Sequence, residues 1–111
     1  MGNALRGIAY TLKLEKNIKI QLVFAILAVI LAIILKSELI EIVCLMLTIG
    51  IVIFAEMVNT AIETAVDLVT QKYNVKAKIA KDVAAGAVLI SAINSIVIGS
   101  LIFIPKIIEL I

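Results

Sequence analysis

The sequence predicts an all-α integral membrane protein on three observations. Of its 111 residues 64% are hydrophobic, its mean hydropathy is +1.26, and three of its apolar runs are long enough to cross a bilayer. Ordinary soluble domains are roughly 45–50% apolar, and a water-soluble fold of this size could not hide the excess. Crossing a hydrocarbon core about 30 Å thick takes about 20 helical residues, and the candidate spans are 18–35, 39–65 and 83–104. They are continuous and lack the in-out alternation of barrel strands, which excludes a β-barrel.

The elements follow in order. Residues 3–17 are too polar to span but amphipathic: Leu5, Ile8, Ala9 and Leu12 share one stripe, and Arg6, Tyr10, Lys13 and Asn17 lie opposite. This pattern predicts a surface helix lying on the membrane interface. A short turn, about 36–41, makes the first two spans an antiparallel hairpin. Gln71, Tyr73 and Asn74 mark 70–75 as the non-helical part of the next loop, and a helical pattern resumes at Lys76 and runs into the third span. In that span Ala85, Ala92 and Gly99 recur every seven residues, and Ser95 and Gly99 form a small-xxx-small pair, so it is expected to pack closely on protein. No linker, repeat or low-complexity tract divides the chain, and residues 1–111 read as one domain.

A net charge of +2 gives no case for nucleic-acid binding. Placement of the charge is more informative. Arg6, Lys13 and Lys16 precede the first span and Lys19 lies at its very start, and Lys72, Lys76, Lys78 and Lys81 lie between the second and third. The positive-inside rule then puts the N-terminus and the second loop in the cytoplasm. The first apolar run is not followed by a small-residue cleavage site, so the spans are expected to remain in the mature chain. Cys44, the single cysteine, lies in an apolar run and reads as membrane packing.

The second span carries the chemistry. Glu56, Asn59, Glu63 and Asp67 fall at i, i+3, i+7 and i+11, within an arc of about 80° at 100° per residue. An acid near hydrocarbon normally faces protein, a cation or a water-filled cavity. Glu56 lies 15 residues beyond Glu41, about 22 Å along the axis and close to the cytoplasmic edge of the core. Glu63 and Asp67 project past that edge. Carboxylates for a divalent cation, lysines for phosphate and a cleft open to lipid are the components of phosphoryl transfer to a membrane alcohol. Acids and lysines that merely pair at the interface account for the same residues. No Walker A sequence, kinase-type Gly-rich loop or DFG motif is present.

The run Ala55-Glu56-Met57-Val58-Asn59-Thr60-Ala61-Ile62-Glu63-Thr64-Ala65-Val66-Asp67, followed by Ala80-Lys81-Asp82-Val83-Ala84-Ala85-Gly86-Ala87-Val88, closely resembles the signature of the prokaryotic diacylglycerol kinase family. These are small three-span membrane kinases, and the resemblance covers almost the whole chain. It implies a homotrimer in the bacterial inner membrane that phosphorylates a lipid alcohol, with ATP as co-substrate, Mg2+ as cofactor and active sites shared between subunits on the cytoplasmic side. By position it implies Glu56 as general base, also touching the lipid, with Asn59 supporting the reacting groups. It further implies Glu15 and Glu63 as ligands of the Mg2+ that bridges the ATP phosphates, nucleotide contacts from Tyr73, Asn74, Lys81 and Asp82, and a lipid contact at Ala85. Lys72-Tyr73-Asn74 stands where Gram-negative members have Glu-Tyr-His. Glu15-Lys16-Asn17-Ile18-Lys19-Ile20 and Lys78-Ile79-Ala80-Lys81-Asp82 resemble the Gram-positive, undecaprenol kinase-like branch, so undecaprenol is the expected substrate and diacylglycerol the alternative. A reading from another class is a non-enzymatic, ion-conducting oligomer, which would want its acid near the midplane.

Eight of the ten basic residues flank the same side of the expected spans. Cysteines placed at Lys76 and at Ser37 should therefore label with opposite sidedness in intact cells, and equal reactivity from outside would overturn the topology.

Overall fold

A computed structural model of the chain describes residues 2–111, and all of its regular structure is helical. Four helices follow one another: α1 Gly2–Leu14, α2 Lys16–Ile34, α3 Leu39–Val69 and α4 Val75–Leu110. Three of them, α2 to α4, are long and apolar enough to cross a membrane. Their most apolar stretches are only 11%, 17% and 11% buried within the chain. Apolar side chains such as Phe24, Leu47, Phe54 and Leu101 point outward, an arrangement unstable in water and natural in lipid.

The helix boundaries extend the expected ones. Helix α4 starts at Val75, one residue before the expected resumption at Lys76, and runs forward through Pro105 to Leu110, beyond the apolar run 83–104. The second continues past residue 65 to Val69. At 1.5 Å per residue α3 is about 46 Å long, so its last turns project beyond a core about 30 Å thick. One boundary differs in kind. The expected surface helix over 3–17 stops at Leu14, and Glu15 has extended backbone, with φ −93° and ψ 106°, as the N-cap of α2. A carboxylate beside the unpaired N–H groups that open α2 gains from the helix dipole, and the break lets α2 set off in its own direction. Glu15, inside the expected helix 3–17, therefore lies at the joint between two helices.

The connections are short and internally bonded. At the end of α2, Lys36 N–H donates to the Ile33 carbonyl at 3.1 Å and Ser37 N–H to the Ala32 carbonyl at 3.0 Å, with Lys36 at φ 56°. These two bonds form a Schellman motif and satisfy carbonyls that would otherwise end the helix unpaired. At the start of α3 the Glu38 N–H donates to Glu41 Oε1 at 2.9 Å. Between α3 and α4, Asn74 Oδ1 accepts from the N–H groups of Lys76 at 2.9 Å and Ala77 at 3.2 Å and caps α4.

The main packing is α3 against α4, with α2 leaning on α3 and α1 touching both α2 and α3. Ala32, Leu45 and Ile102 form the buried core where α2, α3 and α4 meet, toward the Lys36 end. Small residues of α4 help here as expected: Ala84 and Ser91 are buried, while Ala92, Ser95 and Gly99 line a groove between α2, α3 and α4. Ala85, the first of the seven-residue series, is exposed instead. Hydroxyls within the spans are satisfied by their own helices. Thr48 donates to the Cys44 carbonyl at 2.7 Å, Ser91 to Val88 at 2.7 Å and Ser95 to Ala92 at 2.7 Å, so these three need no water in the hydrocarbon. Cys44 is free and exposed on α3.

At the Lys36 end Lys106 Nζ meets Glu41 Oε1 at 2.9 Å, and both side chains are largely covered. The pair ties the last turns of α4, beyond Pro105, to the first turn of α3. Removing one partner leaves the other charge poorly solvated. Lys106→Met should lower the thermal unfolding midpoint in detergent by a few degrees while leaving turnover unchanged. An unaltered midpoint would show the pair to be incidental.

Candidate functional site

The polar stripe of α3 is continuous, but its members sit in different surroundings. Glu56 is buried, with 6% of its surface exposed. Its Oε1 accepts a hydrogen bond from Gln21 Nε2 on α2 at 3.0 Å. The next residue up the stripe, Asn59, donates from Nδ2 to Glu63 Oε1 at 3.2 Å. Glu63 is exposed, and Asp67, also exposed, accepts from Lys81 Nζ of α4 at 2.6 Å. The stripe thus passes from a buried acid, through an amide, to an exposed acid and an exposed ion pair. From Glu56 to Glu63 the helical rise is about 10 Å.

Charge is distributed unevenly along it. Lys81 lies before the apolar run 83–104, and its hydrogen bond with Asp67 holds the ammonium above the ordinary lysine range, with burial opposing and the charges of Asp67 and Glu63 assisting. Lys78 pairs with Asp82 at 2.7 Å on the exposed face of α4. Glu63 has no ion-pair partner among the described residues. Asn59 Oδ1 is buried and accepts no hydrogen bond. An unneutralised carboxylate beside an unused amide oxygen is a donor set that suits a hard divalent cation, with water and phosphate oxygens completing its shell. Among the described residues no three acidic, cysteine or histidine side chains converge, so the arrangement is not an all-protein cage.

Below Glu56 the wall is apolar. A groove of about 440 Å³ runs between α2, α3 and α4, from Gln21 past Phe24, Ala28, Thr48 and Ile49 to Gly99 and Phe103. A second groove, about 840 Å³, lies between α3 and α4 and is lined by Phe54, Val58, Ala84, Ala87, Ser91 and Asn94. Gln21, which donates to Glu56, lines the first of these grooves, and charged groups lie along the stripe beyond Glu56, so water-borne and membrane-borne chemistry come side by side.

Comparison with known proteins agrees with that arrangement. The family model described as prokaryotic diacylglycerol kinase matches residues 2–103. The chain belongs to that family. Undecaprenol kinase of Bacillus subtilis is 43% identical over 101 residues, covering 91% of this chain and 82% of that protein. Diacylglycerol kinase of a Synechocystis species is 38% identical over 105 residues, covering 94% of this chain and 60% of that longer protein. As a member of the prokaryotic diacylglycerol kinase family the chain is a multi-pass membrane lipid kinase, for which ATP is the co-substrate. Family membership leaves the non-enzymatic, ion-conducting reading without support.

Within the kinase, the residues singled out from the sequence are grouped unequally. Glu56, Asn59 and Glu63 share the stripe, and Lys81 joins it through Asp67. Glu15 stands apart at the α1–α2 joint, half-buried. Tyr73 is 81% exposed, and the Asn74 carbonyl oxygen is committed to capping α4. Asp82 is held by Lys78, and Ala85 is exposed one turn further along α4. Sequence reasoning missed Gln21. Its signal was present, since it is the only polar side chain in the run 20–35, and a lone amide in hydrocarbon is costly enough to need a partner.

Proposed function

We propose that the chain phosphorylates undecaprenol to undecaprenyl phosphate, with ATP as phosphoryl donor and Mg2+ as cofactor, at the cytoplasmic face of the bacterial cell membrane. The observation that carries this reading is the buried Glu56, hydrogen-bonded to the Gln21 that lines the apolar groove and two helical turns below the exposed Glu63. In the proposed reaction the lipid hydroxyl reaches Glu56 from the membrane side. As its oxygen attacks the γ-phosphorus, its proton passes to the Glu56 carboxylate, the bond to the β,γ-bridging oxygen breaks and ADP leaves. Such a base contributes about 10²–10⁴-fold in rate.

Glu63 and Glu15 would hold Mg2+, with Asn59 fixing the Glu63 carboxylate through their hydrogen bond. When bound, the ion neutralises charge on the phosphate oxygens. Lys81 and Asp82 would contact the phosphates and ribose side of the nucleotide, Tyr73 and Asn74 its base side, and Ala85 the lipid. Undecaprenol is preferred to diacylglycerol because the relative named undecaprenol kinase is the more identical of the two and is matched over more of its length. A homotrimer with shared sites is supported by Asn94, a polar side chain exposed on the apolar part of α4, where a neighbouring copy would shield it from lipid.

Two experiments follow. In mixed micelles offering undecaprenol and diacylglycerol in competition, labelled phosphate from ATP should go mainly to undecaprenol. Preference for diacylglycerol would reverse the substrate assignment, and activity from particles that cross-link only as monomers would reject shared sites. For the acids, Glu56→Gln should lower turnover by about 10²–10⁴-fold and leave magnesium-ATP binding nearly intact. Glu63→Gln should weaken magnesium dependence and nucleotide binding together. Near-normal turnover by Glu56→Gln would show that another group takes the proton.

A further inference from the structure

Gln21 lies on the second turn of α2 and belongs to no element of the charged stripe, yet its amide reaches across to α3 and donates to Glu56 Oε1 at 3.0 Å. The orientation of the amide is fixed by charge, because the reverse rotamer would set a carbonyl oxygen against a carboxylate oxygen. In that orientation Gln21 Oε1 is buried and accepts no hydrogen bond. An unsatisfied buried acceptor is costly, and in native structures it marks a site where something other than stability is being served. Leucine or methionine at this position would pack against Phe24 and Ala25 of the same groove without that penalty. The sequence therefore keeps an amide whose one hydrogen bond is to the buried acid.

We infer that Gln21 is a positioning residue that anchors Glu56 Oε1 across the α2–α3 interface, so that Oε2 is left free as the atom that takes the proton of the lipid hydroxyl. This inference rests on the reading of Glu56 as the base. A glutamate side chain has three rotatable bonds, and burial alone does not choose among the rotamers that fit. Anchoring one oxygen from a second helix fixes the carboxylate plane and the direction of the other lone pairs. A reacting group held this way avoids the loss that follows a displacement of about 1 Å, on the order of 10²-fold. The anchor also links Gln21, which lines the apolar groove, to Glu56, so lipid seated in the groove and the carboxylate share one frame.

The test is a double-mutant cycle on the full chain in mixed micelles, with Gln21→Met, Glu56→Gln and the two combined. Gln21→Met should lower kcat by about tenfold to a hundredfold, with the KM for ATP changed less than about twofold and a thermal midpoint lowered by no more than a few degrees, the apolar side chain offsetting part of what Glu56 loses with its donor. In the Glu56→Gln background the same substitution should change the residual rate by less than about twofold, since there is no carboxylate left to position. Gln21→Leu serves as a second apolar variant with the same expectation. Parent-like kcat in both apolar variants, or a full multiplicative loss in the double variant, would overturn the inference. So would a fall in midpoint that tracks the loss of turnover, which would make Gln21 a structural residue. If Glu56→Gln alone is active, the base assignment fails; if it is inactive while Gln21→Met is not, only the positioning role fails.

Discussion

A carboxylate buried at the edge of hydrocarbon is the constraint around which the other features arrange themselves. A charged acid at the centre of a bilayer costs at least about 2.5–3.5 kcal/mol, and Glu56 lies close enough to the core to bear part of that. Among the described residues no cation pairs with it; the ion pairs there are Lys78 with Asp82, Lys81 with Asp67, and Lys106 with Glu41. What the chain offers instead is one amide from α2. Helix α2 must therefore stay packed on α3 at the level of Gln21, and the small and apolar residues between the helices keep it there, with Ala32 and Leu45 closing the far end of the interface.

The two ends of the molecule are built differently because they meet different demands. Toward the Lys36 turn the helices are joined by a hydrogen-bonded turn, a buried core and the Glu41–Lys106 pair. Toward Asp67 and Lys81 the helices are joined by an exposed ion pair and a loop whose main order comes from the Asn74 cap. Exposed pairs of this kind contribute little to stability, and charged groups held loosely in water can be exchanged for those of a ligand. The rigid end holds the helices together, and the open end presents charge.

Much of this was legible in the residues because membrane folding imposes strong rules. Apolar runs of about 20 residues and the 3.6-residue period of the polar stripe depend only on helix geometry and hydrocarbon thickness, and both recur in α2 to α4 and in the side-by-side placement of Glu56, Asn59 and Glu63. The expected helix ran through Glu15 because amphipathic periodicity continues across it, and nothing in that pattern says that the backbone breaks there between α1 and α2. Asn74 could be suspected as a loop residue, but its capping bonds depend on where α4 begins, which the helical pattern put one residue further on. Gln21 went unread for a different reason: its partner is 35 residues away, and periodicity along one helix carries no information about which side chain of another helix it faces.

Depth is the remaining organising variable. A lipid alcohol approaches within the bilayer and a nucleotide approaches from water, so a kinase joining them must place its acids at two levels on one rigid support. A single α-helix does this without a loop, since residues seven apart on the same face are separated by about 10 Å along the axis and by little around it. Helix α3 is long enough to carry both levels because it projects beyond the hydrocarbon core, and the Asp67–Lys81 pair secures the projecting turns to α4. In the proposed reaction, bringing the γ-phosphorus to a hydroxyl beside Glu56 would have the phosphate chain reach down the stripe past Asn59. The unpartnered Oδ1 of that residue and the Glu63 carboxylate, which has no ion pair among the described residues, mark the stretch where a cation with its phosphate ligands would complete the path.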